Sequence, residues 1–470
     1  MSGERLFLED RFEEPQGEVG LRFEEGTLVL EGLEQADGPG GEWVWDERVG
    51  AFRAPAHTYR KGLAELLRAG FAVGDGAREY GKLPCELEDG REPYEHQAEA
   101  VAAWEQGGKR GVVVLPTGAG KTYVALLAIA SAGRSALVVV PTLDLMSQWA
   151  GRLEESFGVE VGLLGGGYHE PREITVSTYD SAALHMARLG GRFGLMVFDE
   201  VHHLPGEIYR QAAAMSIAPF RLGLTATPER SDGKERDLDE LVGPVVYRRR
   251  IKELSGDVLA DYEVRALAVA MNDEDREKYD EARGIYRGFV ESNRIRLGGL
   301  HGWRRFLAAT SRSDEGRRAL KAYHAQKRLA LVHREKLDLM VELLEEHRGQ
   351  RVLIFTNDNA SVYGISEELF CPCITHETKL KERREILERV RSGEYSVLVT
   401  SKVLNEGVDI PEASVAIVLA GSGSVREHVQ RLGRILRRQP DKKAVLYELV
   451  TDDSAETFVS QRRREHDAYQ

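Results

Sequence analysis

Seven consecutive residues have the types and spacing that bind the phosphates of a nucleotide: Pro116, Thr117, Gly118, Ala119, Gly120, Lys121 and Thr122. They follow the apolar run 112–115 and precede a helical pattern over 123–129, which is the context of a phosphate-binding loop. Glycine lets backbone N–H groups point at phosphate oxygens, and the start of the following helix favours negative charge. Leu115 stands where the general pattern has its first glycine, and the alternative is a plain glycine turn before a helix. We expect the loop to bind ATP, with Lys121 at the β- and γ-phosphates and Thr122 as a ligand of Mg²⁺.

A pair of carboxylates, Asp199 and Glu200, ends the apolar run 195–198. Residues at the carboxyl ends of parallel strands lie at the sheet edge where ligands bind. We expect Asp199 to hold Mg²⁺ through its water shell, and Glu200 to orient and deprotonate the attacking water. His202 follows two residues later, in a position to link this site to a second domain. Such a pair is also typical of a solvated loop, and the phosphate-binding loop upstream favours the catalytic interpretation.

Arginines recur in the segment 430–437 near the end of the chain. Arg434 and Arg437 are three residues apart and share a face if the segment is helical. Across a cleft they could reach the charge that develops on the γ-phosphate, as arginine fingers do. An arginine-rich helix by itself is typically a helix with a solvated face. Because the chain also has a predicted ATP site, we favour the arginine-finger interpretation.

Short apolar runs alternate with helical patterns in two parts of the chain, residues 86–250 and 335–455. Near-continuous runs of branched residues are typical of parallel strands covered on both faces. The runs lie at 112–115, 137–140, 174–176, 195–198 and 221–224 in the first part, and at 352–355, 397–399, 415–419 and 444–447 in the second. We therefore predict an α/β fold with two doubly wound parallel-sheet domains.

Two further segments precede and separate these domains. Residues 1–80 contain short strand patterns and one helical pattern over 59–69, which predicts a small α+β module. Residues 271–330 are charged and helical, which predicts an inserted helical hairpin. Aromatic residues recur there near helical spacing, and we expect them to form its core rather than a base-stacking surface. They are Tyr279, Tyr286 and Phe289.

Composition excludes several classes of protein. Three cysteines are too few for a disulfide framework or a four-cysteine iron–sulfur cluster. The chain has no apolar run long enough to span a membrane, and its first residues lack the apolar core of a signal peptide, so we predict a cytoplasmic protein. The formal net charge of −13 argues against a protein that coats DNA by electrostatic attraction, and it leaves a local DNA-binding groove open.

The residues of these motifs and their order along the chain resemble those of superfamily 2 helicases, whose two α/β domains are RecA-like. Residues 199–202 match a DEAH-like box with valine at its third position, and Gln97 matches the glutamine that recognises adenine in that superfamily. The resemblance implies that ATP lies in a cleft between the two domains. It also assigns roles to residues in three more motifs: coupling of ATP to DNA by Thr225 and Thr227, contact with the nucleotide by Gly407 and Asp409, and an arginine-finger motif with Gln430, Arg434 and Arg437.

Three further segments resemble the XPB family in particular: residues 176–180, 374–376 and 421–427. The short N-terminal module resembles that family as well. The resemblance implies that residues 1–80 form a damage-recognition domain and that the helical insert is a thumb that grips DNA. It also implies 3′-to-5′ DNA-dependent ATPase activity, with unwinding or double-strand translocation, in nucleotide excision repair or promoter opening. The expected partners are fork, bubble or duplex DNA and a nuclease. We expect a monomer, associated with the nucleoid of a prokaryote.

The chain departs from the family pattern in two places. The family's Arg-Glu-Asp element, which is linked to strand separation, here reads Arg230, Ser231, Asp232. Tyr94 stands where the family has an arginine near the adenine-reading glutamine, which implies different stacking on adenine. The chain also lacks long terminal extensions, which fits a short archaeal or bacterial form.

Polar side chains at strand ends are the candidates for contact with DNA. Hydroxyl groups and helix starts suit phosphates, and such contacts position a strand without reading its sequence. Any of these hydroxyls is equally typical of a helix cap. The candidates are Thr142, Gln148, Ser177, Thr178, Arg230, Asp232, Thr356, Thr375, His376, Thr400 and Ser401.

Three other functions remain compatible with the sequence. One is a double-strand translocase with little strand separation, which Ser231 favours. Another is a damage-binding switch that uses ATP as a clamp. The third is an RNA helicase, and the segments that resemble the XPB family argue against it.

Overall fold

The computed structural model describes residues 18–230, 232–254, 256, 258–297, 302–401, 413–419, 443–454 and 456. The chain divides into two compact units, residues 1–115 with 120–249 and residues 250–470 with 116–119. Within the described ranges, no helix is long and apolar enough to cross a membrane.

The N-terminal module is a five-stranded sheet with one helix. Its elements are β1 Glu18–Glu24, β2 Thr27–Glu31, β3 Val44–Asp46, β4 Ala51–Pro55, α1 Tyr59–Arg68 and β5 Ala72–Asp75. The strand order is β3-β4-β2-β1-β5, antiparallel except for the pair β1–β5. Glu25 and Gly26 both have positive φ, which suits a tight two-residue hairpin between β1 and β2. Ile217, from the following α/β domain, completes the apolar core of this module.

The first α/β domain is built on an eight-stranded sheet with the order β13-β6-β12-β11-β7-β10-β8-β9. All neighbouring strands are parallel except the hairpin β8–β9. Its strands are β6 Arg110–Val114, β7 Ala136–Val140, β8 Gly162–Gly165, β9 Tyr168–Glu170, β10 Ile174–Thr178, β11 Leu195–Asp199, β12 Phe220–Thr225 and β13 Val245–Arg248. Its helices are α2 Glu95–Gln106, α3 Lys121–Ala132, α4 Leu143–Phe157, α5 Tyr179–Leu189, α6 Arg210–Ala214 and α7 Asp237–Leu241. The central strands are buried along their whole length, as expected for a sheet covered on both faces.

The second unit contains a six-stranded parallel sheet with the order β14-β19-β18-β15-β17-β16. Its strands are β14 Asp261–Val269, β15 Val352–Phe355, β16 Cys373–Ile374, β17 Val397–Thr400, β18 Val415–Val418 and β19 Lys443–Thr451. Its helices are α8 Ile251–Leu254, α9 Asp273–Ser292, α10 Gly302–Thr310, α11 Asp314–Leu331, α12 Arg334–Glu346, α13 Asn359–Leu369 and α14 Leu380–Ser392. β14 is a half-exposed edge strand without a long apolar run, and the sequence analysis did not predict it.

The inserted segment contains the three helices α9, α10 and α11 rather than the two of a hairpin, because the charged stretch is divided twice; it follows β14 along the chain, and we refer to these three helices as the thumb. Its aromatic side chains pack on one another, as the sequence predicted. Phe289 and Phe306 are buried, and the Tyr286 ring lies 5.4 Å from that of Phe306. Tyr279 is buried at the base of the thumb against Met271. The nine predicted strands and both parallel sheets are present, which confirms the predicted fold class.

Candidate active site

Three neighbouring strands of the first α/β domain bring the predicted motifs to one edge of the sheet. The phosphate-binding loop begins where β6 ends, Thr225 ends β12 and Asp199 ends β11. These strands are adjacent in the order β6-β12-β11, and all three are parallel. Their carboxyl ends therefore lie side by side, although 85 residues separate Val114 from Asp199 along the chain.

The backbone of the phosphate-binding loop requires glycine at two positions. Gly118 and Gly120 have φ values of +91° and +80°, which residues with a side chain rarely adopt. A Cβ atom at position 120 would lie 2.2 Å from Nε2 of Gln97, so the loop and the predicted adenine-reading glutamine are closely fitted. Gln97 is held by a hydrogen bond from the Tyr94 N–H to its Oε1, at 3.0 Å.

Two groups in this loop suit a nucleotide phosphate. Oγ1 of Thr117 is buried and has no hydrogen-bond partner among the described residues, although a buried hydroxyl normally has one. Lys121 donates to the carbonyl of Leu115 at 3.2 Å, and Thr122 follows it in the first turn of α3. These donors fit the phosphates of a nucleotide, and oxygen ligands such as those of Asp199 and Thr122 are the type that a hard divalent cation prefers.

Both carboxylate oxygens of Asp199 are held in place. Oδ2 accepts a hydrogen bond from the indole N–H of Trp149 at 2.9 Å, and Oδ1 accepts from the Glu200 N–H at 3.0 Å. Burial raises the pKa of Asp199, while the Trp149 hydrogen bond and the charge of Lys121 oppose that rise. A buried anion in this environment is stabilised by a cation, which is the task the sequence predicts for it. The sequence analysis missed Trp149, although its position with Met146 and Leu153 on the buried face of α4 is readable from helical spacing.

Glu200 has a left-handed backbone with φ 48° and ψ 53°. Outside glycine this conformation costs about 1–2 kcal/mol, and such strain is concentrated at functional sites. The carboxylate is 14% exposed, and its Oε2 lies 3.5 Å from Nδ1 of His202. The strained backbone therefore places the carboxylate of the predicted general base beside His202.

His202 joins the carboxylate loop to the end of the next strand. Its Nδ1 lies 3.2 Å from Oγ1 of Thr225, which donates to the Thr227 carbonyl at 3.1 Å and accepts from the Thr227 N–H at 3.2 Å. His202, Thr225 and Thr227 are all buried. Arg230 donates to the His202 carbonyl and forms a bidentate pair with Asp232, with N···O distances of 2.8 and 2.7 Å. Hydrogen bonds thus connect His202 to Thr225, to Thr227 through the Thr225 hydroxyl, and to Arg230, while the Glu200 carboxylate lies 3.5 Å from the same histidine.

Comparison with known proteins agrees with this arrangement. Residues 21–77 match the Xeroderma pigmentosum group B helicase damage recognition domain, 91–230 match the type III restriction enzyme res subunit, and 335–439 match the helicase conserved C-terminal domain. The chain is 40% identical over 447 residues to the DNA 3'-5' translocase XPB2 of Sulfurisphaera tokodaii, covering 95% of this chain and 100% of that protein. The chain belongs to the XPB family.

Other relatives are more distant. The DNA 3'-5' helicase XPB of Mycobacterium tuberculosis is 31% identical over 392 residues, which cover 80% of this chain and 64% of that protein. The crystal structure of the Pyrococcus furiosus Hef helicase domain has a TM-score of 0.50 at 19% identity, covering 78% of this chain and 98% of that one. This likeness supports the fold. Members of the XPB family use ATP, so this chain is an ATP-using helicase-family enzyme.

The side chains predicted to contact DNA in this XPB-family protein have different hydrogen-bonding roles in the structure. Thr142 and Thr178 cap α4 and α5, accepting from the N–H groups of Leu145 and Ser181. The hydroxyls of Ser177 and Thr400 are buried and donate to backbone carbonyls. Arg230 and Asp232 pair with each other, as described above. DNA contact by these side chains remains a prediction.

The remaining candidates lie at other strand and helix ends. Thr356 and Thr375 are fully buried, and Oγ1 of Thr356 has no hydrogen-bond partner in the part of the chain that the structure describes. His376 is exposed and lies beside Asn359, with 3.0 Å between their side-chain nitrogens. Gln148 is exposed and Ser401 is buried. The residues Gly407, Asp409, Gln430, Arg434 and Arg437 lie outside the described residues, and their roles stay predictions.

A basic surface on the thumb was missed by the sequence analysis. Residues 302–328 contain eight lysines and arginines but only two acidic residues, in a chain whose net charge is −13. The eight basic side chains belong to exposed residues of α10, α11 and the turn between them: Arg304, Arg305, Arg312, Arg317, Arg318, Lys321, Lys327 and Arg328. We call this set the basic thumb face. Counting charge segment by segment, rather than over the whole chain, would have found it.

Proposed function

We propose that this protein is an ATP-driven 3′-to-5′ DNA helicase and translocase that opens DNA in nucleotide excision repair or transcription. The observation that carries the proposal is that the motifs lie side by side at the edge of β6, β12 and β11, where Trp149 bonds Asp199 and His202 bonds Thr225. The names of its relatives, which include 3'-5' helicases and translocases, support the polarity and the choice of DNA.

Each residue at this edge has a task in the proposed reaction. Lys121 and the backbone N–H groups of the loop bind and orient the phosphates, while Gln97 recognises the base. Glu200 accepts a proton from the attacking water, which its strained backbone places beside Asp199. Mg²⁺, held by Thr122 and Asp199, would offset the negative charge of the phosphates. Arg434 and Arg437 are proposed to stabilise the charge that develops on the γ-phosphate.

The basic thumb face supports DNA as the partner. Phosphate contacts dominate the affinity of proteins for DNA, and lysines and arginines supply them without reading sequence. The N-terminal module supports damage recognition through its family match. Its core includes Ile217 of the first α/β domain, so a damage signal would reach the ATP-binding domain through shared packing.

The first experiment measures ATP turnover by the full chain with and without DNA. We expect DNA to raise turnover, and Lys121→Ala and Glu200→Gln to lower it by about a thousandfold or more. Lys82→Ala and Glu207→Gln, which change exposed residues of the same types, are the matched controls and should keep wild-type turnover. Turnover that survives both active-site changes would contradict the proposal, and greater stimulation by RNA than by DNA would redirect it to RNA.

The second experiment separates strand separation from translocation. A fork-unwinding assay and a triplex-displacement assay are run on the same preparation at the same ATP concentration. Triplex displacement without fork unwinding would restrict the activity to double-strand translocation, which Ser231 and the paired Arg230 and Asp232 favour.

The proposal includes a nuclease partner, a monomeric state and association with the nucleoid. The family resemblance supports the nuclease, and the DNA-binding role supports the location. Light scattering of the purified chain tests the monomer. Co-purification of a nuclease activity that depends on this chain tests the partner.

A further inference from the structure

The peptide unit between Asp199 and Glu200 is held by hydrogen bonds at both of its polar atoms. Its carbonyl, which belongs to Asp199, accepts from the Tyr179 hydroxyl at 2.9 Å. Its N–H, which belongs to Glu200, donates to Oδ1 of Asp199 at 3.0 Å, and the other carboxylate oxygen accepts from the Trp149 indole. The orientation of this peptide unit relative to the rest of Glu200 is the φ angle of 48°. Tyr179 and Trp149 therefore hold the groups that lead directly into the strained backbone of Glu200.

The register of the sheet explains why the Asp199 carbonyl needs a side-chain donor. In the parallel pair of β11 and β7, the Leu195 N–H donates to the Ser135 carbonyl at 3.1 Å. Residues two apart on a strand face the same neighbour, so the Asp199 carbonyl also faces β7, where the next N–H in this register would be that of residue 141. Residue 141 is Pro141, which has no N–H. The Tyr179 hydroxyl supplies the missing donor, because Tyr179 directly follows β10, the other neighbour of β7.

Both donors are fixed by packing. Tyr179 is buried in the apolar core of this domain, where its ring stacks on Phe198 and lies 5.4 Å from the ring of Tyr209. Trp149 is buried on the inner face of α4. A close-packed interior leaves such side chains little room to move, so both donors resist rotation of the peptide unit that they hold.

A strained backbone needs this kind of restraint. The left-handed conformation costs free energy in a residue with a side chain, and it persists only where the surrounding structure over-determines it. If the peptide unit were released, the φ angle of Glu200 would relax toward negative values. Its carboxylate, which lies 3.5 Å from His202, would then turn away from its present position. The hydrogen bonds from Tyr179 and Trp149 therefore maintain the position of the proposed general base.

We propose that Tyr179 and Trp149 are positioning residues for ATP hydrolysis, which hold the Asp199–Glu200 peptide unit so that the Glu200 carboxylate faces the attacking water. The inference rests on the proposed function and adds the two residues that orient its general base. Both residues act through the groups that they bond. Displacing a general base slows the chemical step and leaves substrate binding unchanged, so the effect falls on kcat rather than on the KM for ATP.

The first test removes the Tyr179 hydroxyl from the full chain by Tyr179→Phe. Tyr209→Phe is the matched control, because it deletes another hydroxyl of the same ring cluster, one that donates to Asp180 at 3.2 Å. The quantities measured are kcat and the KM for ATP at saturating duplex DNA, and the half-saturating DNA concentration. We expect kcat to fall about tenfold in Tyr179→Phe, with the other two quantities within about twofold of wild type. The control should match wild type in all three.

Trp149→Phe applies the same measurements to the second donor, since it keeps an aromatic ring but deletes the indole N–H. Trp104→Phe is its control, because Trp104 is a buried tryptophan whose N–H donates to the Arg221 carbonyl at 2.9 Å, near the start of β12. We expect kcat to fall about tenfold in Trp149→Phe and to stay within about twofold of wild type in Trp104→Phe. Equal losses in the two variants would overturn the role of Trp149, because they would be the result of losing a core tryptophan.

The second test examines the backbone itself, without ATP. Glu200→Gly should be more stable than Glu200→Ala, because glycine accepts a positive φ without strain. We expect Tyr179→Phe to shrink this difference in denaturation midpoint by about half, because a released peptide unit lets the alanine backbone relax. The same comparison made with Tyr209→Phe should leave the difference unchanged.

Both readouts must change in Tyr179→Phe. A fall of kcat with an unchanged difference between Glu200→Gly and Glu200→Ala would overturn the inference, and so would a smaller difference with wild-type kcat. A raised KM at unchanged kcat would also overturn it, because the hydroxyl would then serve ATP binding. If Tyr179→Phe does not fold, both readouts are judged on Trp149→Phe. A wild-type chain without DNA-stimulated turnover would instead overturn the proposed function, while the stability comparison would still report on the peptide unit.

Discussion

Nδ1 of His202 lies 3.2 Å from Oγ1 of Thr225, across the ends of two neighbouring strands. The same histidine atom lies 3.5 Å from the Glu200 carboxylate, and the same hydroxyl bonds the backbone of Thr227. Because Arg230 also donates to the His202 carbonyl, one histidine connects the proposed general base to the element that follows β12. The hydrogen bonds of His202 therefore connect the carboxylate loop to residues 225–230.

Removing the Thr225 hydroxyl should uncouple hydrolysis from movement. Thr225→Val keeps the shape of the side chain but leaves His202 and Thr227 without this partner, at a cost of about 1–3 kcal/mol. We expect triplex displacement to fall about tenfold and basal ATP turnover to fall less than about threefold. Thr175→Val is the control, since Thr175 is a buried threonine that bonds only Arg172 in the described part of the same sheet. Equal losses of turnover and displacement in Thr225→Val would argue against a coupling role.

Alanine at position 120 should weaken ATP binding. The new Cβ would lie 2.2 Å from the Gln97 amide and would require φ of +80°, so the glutamine must leave its position. We expect the KM for ATP to rise about tenfold. Gly133→Ala is a close control, because Gly133 also has positive φ, at the end of α3, but nothing lies nearer than 4.0 Å to the added atom. That variant should lose about 1 kcal/mol of stability and keep its KM, and a raised KM there would show that backbone strain alone is responsible.

The backbone strain at Glu200 predicts an unusual order of stabilities. Glycine adopts φ 48° without the steric cost that a Cβ atom carries, so Glu200→Gly should be more stable than Glu200→Ala by about 1 kcal/mol. Both variants should be inactive, since neither has a carboxylate. Chemical denaturation of the two proteins measures the difference. The opposite order would mean that the backbone at Glu200 is relaxed.

Basic residues of the thumb should set the salt dependence of DNA binding. Each phosphate contact that is lost lowers the slope of log K against log salt by about one. Arg304→Ser with Arg305→Ser should therefore lower the slope by about two, without a preference for any DNA sequence. Lys381→Ser with Arg384→Ser, two exposed residues of α14, is the control. An unchanged slope in the thumb variant would exclude these arginines from the DNA interface.

Glu335 should make the second unit sensitive to acid. Burial raises the pKa of its carboxyl, but hydrogen bonds from Asn272 and His333 outweigh that effect and lower the pKa from 4.5 to about 2. The folded state thus prefers the charged form, and the resulting stability is complete above the unfolded pKa and is lost as pH falls from 4.5 toward about 2. The side chain is 33% exposed, so after allowance for solvent screening the contribution is about 1 kcal/mol.

Glu335→Gln should therefore be about 1 kcal/mol less stable than wild type at pH 7, and the difference should shrink through the acid range. Denaturant unfolding at several pH values measures it. Glu342→Gln, at an exposed position of the same helix, should show no such trend. A constant difference between Glu335→Gln and wild type at every pH would contradict the assignment.

Local patterns were sufficient for the central strands of both parallel sheets. Continuous apolar runs predicted β6, β7, β10, β11 and β12, because strands buried on both faces need apolar side chains at every position. The edge strand β14 escaped prediction, because its half-exposed positions mix charged and apolar residues and its partner β19 lies far along the chain. The basic thumb face escaped for a similar reason, since the charge of the whole chain conceals a local excess.

The sequence by itself determined the kind of protein, because the phosphate-binding loop, the carboxylate pair and the threonine motif each depend on neighbouring residues. Only the tertiary structure decided which side chains support them. Trp149 bonds Asp199 across 50 residues, and Tyr179 bonds the carbonyl of the same residue across 20, so no local pattern contains either pair. Such partners are chosen by strand order and burial, because a buried polar group must find its hydrogen bonds wherever the packed chain supplies them.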